Sequence, residues 1–214
     1  MGRPAKTLLS RATIAQAALD IIDEAGAPAL TMRALADRFG VRGASLYNHI
    51  SSKDDLIDAV SELINREIDL SPLLSPDWQR GVADYARDYR AVYRRHPNII
   101  AIVARGPVAS TDALAGYDAL LAALRRAGCS VAEAAATAAA LDYLVLGSAL
   151  ETFTTGFDRS PAHYRPNYPD LADALEASVS SAGPESSTLD DCGFELGLEM
   201  LLGGLARRIG AVPR

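Results

Sequence analysis

Between Thr31 and Lys53 the sequence sets two helix starts and a helix stop so close together that few folds remain open. Thr31 can cap a first helix by accepting from orphan backbone N–H groups. Leu35 and Phe39, four residues apart, give that helix one apolar stripe, and Gly40 suits the left-handed conformation that ends it. Val41 then occupies a turn, and Leu46 and Ile50 face back toward the stripe. The opposite face of the second helix carries Arg42, Ser45, Asn48 and His49. A third helix opens after Ser52, where Ser52-Lys53-Asp54-Asp55 reads as a capping box. A helix as short as the second is marginal alone and must be held by its neighbours. Holding a short polar helix outward is the task of a helix-turn-helix, whose second helix enters the DNA major groove.

Leu30-Thr31-x-Arg33-x-Leu35-Ala36, Gly40-Val41, Ser45-Leu46-Tyr47-x-His49 and Ser52-Lys53-x-x-Leu56 together resemble the N-terminal domain of the tetracycline-repressor (TetR) family, over about residues 10–60. The resemblance implies that Thr31, Tyr47, His49 and Lys53 clamp the DNA backbone. Lys53 also sits in the first turn of a helix, where free N–H groups and its own charge favour a phosphate. Arg42 and Arg33 are the best base readers, because a guanidinium can bond guanine O6 and N7 together. Gly43, Ala44 and Ser45 allow close approach and can touch thymine methyl groups. Asn48 either bonds adenine or is simply solvated, and His49 serves equally as a neutral donor or a charge.

A net charge of −6 argues against a DNA binder only when averaged over the chain. The stretch up to Lys53 carries seven Lys and Arg against four acids, or +3, which leaves −9 on the remainder. A basic end on an acidic body suits DNA contact. Residues 1–9 form a basic, Pro-containing arm: a disordered terminus, or one whose Arg3 and Lys6 reach phosphates or a minor groove. Cys129 and Cys192 and the three His stand apart without metal-type spacing, so no metal, no cofactor and no disulfide is expected. No signal-peptide apolar region opens the sequence, so a cytoplasmic protein is expected. The longest apolar tract, around Ala134–Leu150, contains Asp142 and reads as far short of a membrane span.

The fold class expected is all-α: an N-terminal three-helix helix-turn-helix DNA-binding domain (residues 1–52) joined to a larger helical ligand-binding and dimerisation domain (53–214). Ile14, Ala17, Ala18, Ile21, Ile22 and Ala25 mark a buttressing helix over Ser10–Ala25. Leu56, Ile57, Val60, Leu63, Ile64 and Ile68 mark the connecting helix that opens the second domain. With no flexible linker before it, that helix should couple the two. Helices follow over residues 78–95, 98–104 and 111–127. A long Ala-rich one spans Ser130–Phe157, then comes a Pro- and Ser-rich loop over 158–187 with a short helix possible at 171–179. The last helix, Leu189–Ile209, is apolar on more than one face and is therefore buried on two sides. Gly193, Gly197, Gly203 and Gly204 would let another backbone approach it.

The phrase Phe194-Glu195-x-Gly197-Leu198-x-x-Leu201-Leu202-x-Gly204-Leu205 is similar to the last helix of the family's C-terminal domains. A homodimer is expected in which this helix and the Ser130–Phe157 helix pair with their symmetry mates through Leu141, Val145, Phe194, Gly197, Leu198, Leu201 and Leu205. The resemblance also implies an effector cavity whose occupancy shifts the connecting helix. Tyr85, Tyr89, His96, Arg105, Tyr117, Tyr143, Leu146 and Glu151 are candidates, as polar handles on otherwise apolar faces. Glu151 matches a metal-site Glu of the family's namesake, but Val103 stands where that protein has a metal-binding His. A metal-chelated ligand is therefore not expected, and a small organic amphiphile is.

The leading reading is a ligand-released repressor that binds a palindromic operator in double-stranded DNA as a homodimer, with no membrane partner. A DNA-binding regulator with no small-molecule ligand, partner-controlled or constitutive, is the alternative. An enzyme is not expected, for no nucleophile–base pair, phosphate loop or ligand cluster is legible.

Overall fold

Each predicted helix start is met by a side chain that satisfies it. Ser10 and Thr13 form a reciprocal capping box at the head of the first helix, and Thr31 accepts from the Ala34 N–H. Gly40 ends the second helix at φ 63°, a left-handed conformation that costs Gly nothing. The computed structural model describes residues 9–104, 106–151, 156–180 and 188–211. Among them are eleven α-helices, two short 3-10 turns and no strand. In chain order the helices are α1 (Arg11–Ala25), α2 (Met32–Phe39), α3 (Gly43–Leu46), α4 (Lys53–Arg66), α5 (Trp78–Arg95) and α6 (Pro97–Val103). They continue as α7 (Thr111–Arg126), α8 (Val131–Ala149), α9 (Pro161–Tyr164), α10 (Pro169–Ser180) and α11 (Leu189–Ala211).

Two compact units divide after Arg126. In the first, α1 buries Ile14, Ala18 and Ile22, and α4 buries Leu56, Val60 and Ile64. These two helices pack on each other, and α4 also packs on α7. The connecting helix is thus clasped from both sides, and the compact division falls at residue 126 rather than at residue 52. The turn before α5 is equally tight. A Cβ at Gly81 would lie 2.3 Å from the Pro72 carbonyl oxygen. Backbone cannot yield cheaply there, so Gly81→Ala is expected to cost about 1–3 kcal/mol, as overpacking does. The control is Gly116→Ala, whose new methyl would sit 3.7 Å from its nearest neighbour. That change should be neutral or stabilising by up to about 1 kcal/mol through helix propensity. Urea midpoints for the two variants check both expectations.

In the second unit Ser130 and Glu133 form a capping box for α8, which packs against α11. α8 buries Ala134, Thr137, Ala138, Leu141, Val145 and Ala149, while α11 buries Phe194, Leu198, Leu202 and Leu205. Three sequence expectations change here. α8 stops at Ala149 rather than Phe157, and Glu151 follows with φ 49°. The stretch expected to be mostly loop carries α9 and a longer α10, joined by Arg165 to Asp173 and Glu176 at 2.8 and 2.7 Å. At 19 residues, α8 is long and apolar enough to cross a membrane by length and composition, contrary to the reading of its tract as too short. One side of it is committed to α11.

Candidate nucleic-acid interface and ligand cavity

The turn from α3 into α4 is fixed by one carboxylate. Ser52 Oγ accepts from the Asp55 N–H, as a capping box requires. The return bond, however, goes one residue further back: Asp55 accepts from the Ser51 N–H at 2.7 Å and from the Ser51 hydroxyl at 3.0 Å. Arg11 of α1 donates to the same carboxylate and to Glu62. The Ser51 amide above all, with help from Arg11, holds the Asp55 carboxyl below its ordinary value. A depressed pKa stabilises the fold above the unfolded-state value and is lost as pH falls through the folded one. Asp55→Asn should therefore lower the melting temperature at neutral pH, and the difference from the parent should vanish in strong acid. Melting curves from neutral to strongly acidic buffer would show it.

Around this turn the polar candidates segregate from the core. Leu35, Ala36, Leu46 and Ile50 are buried, whereas Thr31, Arg33, Arg42, Ala44, Tyr47, Asn48, His49 and Lys53 are exposed and Gly43 and Ser45 half-buried. α3 is one turn long, with Arg42 at its N-cap position and no side-chain cap. The basic residues divide by use. Arg11 is consumed by Asp55 and Glu62, and Arg38 by a two-pronged contact with Glu24 plus one with Asp20. Arg33 keeps only a 3.9 Å approach to Asp37 and leaves 92% of its side chain exposed. Arg42 and Lys53 have no carboxylate partner among the described residues. Arg3, Lys6 and most of the expected arm lie outside the described residues.

Of the effector candidates, Tyr85, Tyr89 and Tyr117 come together. They line a cavity of about 280 Å³ with Asn65, Ile68, Leu70, Asp112, Ala113 and Gly116, between the end of α4, α5 and α7. Asp112 and Asn65 escaped the sequence reading because a lone acid or amide on a helix reads as surface. The recurring Tyr at one face of α5 was the signal that could be found. His96 is a correction. Its Nδ1 lies 2.7 Å from Asp23 Oδ2, and Asn98 beside it donates to the Ile22 carbonyl at 3.0 Å. His96 thus ties the α5–α6 junction to the end of α1 and does not line the cavity. Tyr143, Leu146 and Glu151 belong to the second unit and are not among the lining residues. Arg105 lies outside the described residues.

The expected dimer residues need a further correction. Leu141, Val145, Phe194, Leu198 and Leu205 are buried within one chain, because they are the seam between α8 and α11. Gly197 abuts Leu144 of the same chain, and Leu201 is half-buried. The apolar surface left open on these helices is elsewhere: Val131, Tyr143 and Leu150 on and just after α8, Leu196 and Met200 on α11. The sequence reading erred because a helix apolar all round does not reveal which side its own chain covers.

Comparison with known proteins adds independent findings. Residues 14–60 match the family model described as "Bacterial regulatory proteins, tetR family". Residues 71–209 match "Tetracyclin repressor-like, C-terminal domain". The class A tetracycline repressor protein of transposon 1721 from Escherichia coli is 30% identical over 94% of this chain and 93% of its own length. An HTH-type transcriptional regulator of Saccharopolyspora erythraea is 35% identical over 67% of this chain, a match spanning 61% of that protein. Among solved structures, apo ActR from Streptomyces coelicolor superposes with a TM-score of 0.77 at 28% identity, covering 96% of this chain and 99% of that one. ActR in complex with actinorhodin gives 0.76 at 27% identity, over 95% and 100%.

Proposed function

This chain belongs to the tetR family of bacterial regulatory proteins, and from that premise we propose that it is a homodimeric repressor released from a palindromic operator by a small organic effector. The observation that carries the DNA half is the use of charge. Arg11 and Arg38 are spent inside the fold, while Arg42 and Lys53, on either side of α3, remain unpaired and exposed. Phosphate contacts set register and base-edge contacts set sequence. Lys53, Thr31, Tyr47 and His49 take the first role; Arg42 and Arg33 take the second, with Gly43, Ala44, Ser45 and Asn48 against the base edges. Two copies related by a two-fold axis read half-sites about 34–36 Å apart, which makes the operator palindromic.

The open apolar residues of α8 and α11, with Gly193 and Gly204 offering nothing that would block a backbone, support a second copy of this chain as their cover. α8 is read accordingly as facing protein, with no membrane partner, and the protein as working in the cytoplasm. The ligand half rests on the cavity. It touches the end of α4, which packs on both α1 and α7, so an occupant that shifts α4 disturbs the DNA-reading helices. The ActR complex with actinorhodin is the precedent for a small organic occupant.

The test is a titration of a duplex from the gene's own upstream region. Lys53→Ala should weaken binding to every sequence and flatten its salt dependence. Arg42→Ala should relax sequence preference, at about 1–3 kcal/mol of lost discrimination. An Arg42→Ala chain with unaltered affinity and the same preferred operator would remove Arg42 from the readout.

A further inference from the structure

Resting on the ligand-controlled reading above, we infer that the effector is a cationic aromatic amine and that its ammonium group takes Asp112 away from Arg66. The cavity lining holds one carboxylate, Asp112, and no Lys, Arg or His. The rest of the polar lining is Asn65 and the three tyrosines. Tyr85 and Tyr89 lie 5.9 Å apart between ring centroids at a 44° tilt. A ring face near a carboxylate attracts a cation and disfavours an anion. Gly116 leaves the space beside Tyr85 and Leu70 unfilled, so an aromatic body can enter there.

The carboxylate is already engaged, and its partner gives the site a mechanical output. Arg66, in the last turn of α4, donates to Asp112 Oδ2 at 3.2 Å from across to the first turn of α7. The two side chains are 66% and 33% exposed, so the contact lies at the rim, where an incoming cation can compete for it. A ligand ammonium on Asp112 and the Arg66 contact exclude each other. Such a ligand therefore favours the state in which the end of α4 is released from α7, and DNA favours the state in which it is held. By linkage each weakens the other. A neutral aromatic fills the same space and leaves the tie intact.

The experiment uses the full chain and three matched probes: 2-naphthylmethylammonium, 2-naphthylmethanol and 2-naphthoate, titrated by calorimetry. The cation should bind about tenfold more tightly than the alcohol, and the carboxylate least of all. Asp112→Asn should bring the cation-to-alcohol ratio near one. Gly116→Leu, or independently Ala113→Leu, should abolish binding by filling the cavity. With the upstream duplex present, the cation should lower DNA affinity in the parent and not in Arg66→Ala. Probes that lose binding in the filled variants but show no charge preference overturn the amine assignment and leave the cavity reading standing. Probes that ignore both filled variants, or fail to bind the parent at all, overturn the cavity reading itself. A cation that lowers DNA affinity equally in Arg66→Ala overturns the displacement step.

Discussion

Leu46→Ala is expected to abolish operator binding and to cost about 2–5 kcal/mol of stability, the range for emptying a large aliphatic position in a core. α3 offers little of its own to resist that loss. It is a single turn with no side-chain cap, and a helix so short is marginal without tertiary support. Its support is the pair Leu46 and Ile50, both fully buried and in the same unit as the buried Leu30 and Leu35. Stabilities of whole domains run to about 5–15 kcal/mol, so the loss is a large share of the total. Leu46→Met, close in volume, should cost less than about 1.5 kcal/mol and keep DNA binding. Circular dichroism in urea and anisotropy with a labelled duplex give the two readouts. An unshifted midpoint in Leu46→Ala would mean that the turn does not hang on this side chain.

Phe194→Ala is the second large effect, about 3–5 kcal/mol. Phe194 is among the largest fully buried side chains, and it lies in the α8–α11 seam of a single chain. Its loss should appear as a lowered unfolding midpoint. Met200→Glu, on the open side of the same helix at 65% exposure, should instead leave helical content unchanged and shift sedimentation from dimer to monomer. If Phe194→Ala lost only self-association, with its unfolding unmoved, Phe194 would be the interface residue that the bare sequence suggests.

That contrast shows where a sequence can and cannot be read. Helix starts and stops at Ser10, Thr31, Gly40, Ser52 and Ser130 are local chemistry, and all five appear in the structure as caps. The polar face of α3 was legible for the same reason: one short helix has few ways to present Arg42, Asn48 and His49. Long-range choices were not. Nothing local tells His96 to seek Asp23, seventy-three residues away, rather than a ligand. Nothing local tells Asp55 to reach Ser51 in place of Ser52. The Ala-rich α8 is apolar on most sides, so its periodicity could not say which side α11 takes. The cavity fell between these cases. Its three tyrosines were visible as polar handles, but the single acid that sets its charge was hidden among 27 Asp and Glu.

The central claim is that two copies of one unpaired cationic face read two neighbouring grooves of the same duplex. Sedimentation of the purified chain with a duplex from its own upstream region, repeated across a range of salt, tests it most directly. The account predicts two chains per duplex and an association constant whose logarithm falls linearly with the logarithm of salt. A monomer that binds no duplex even at low ionic strength would contradict it.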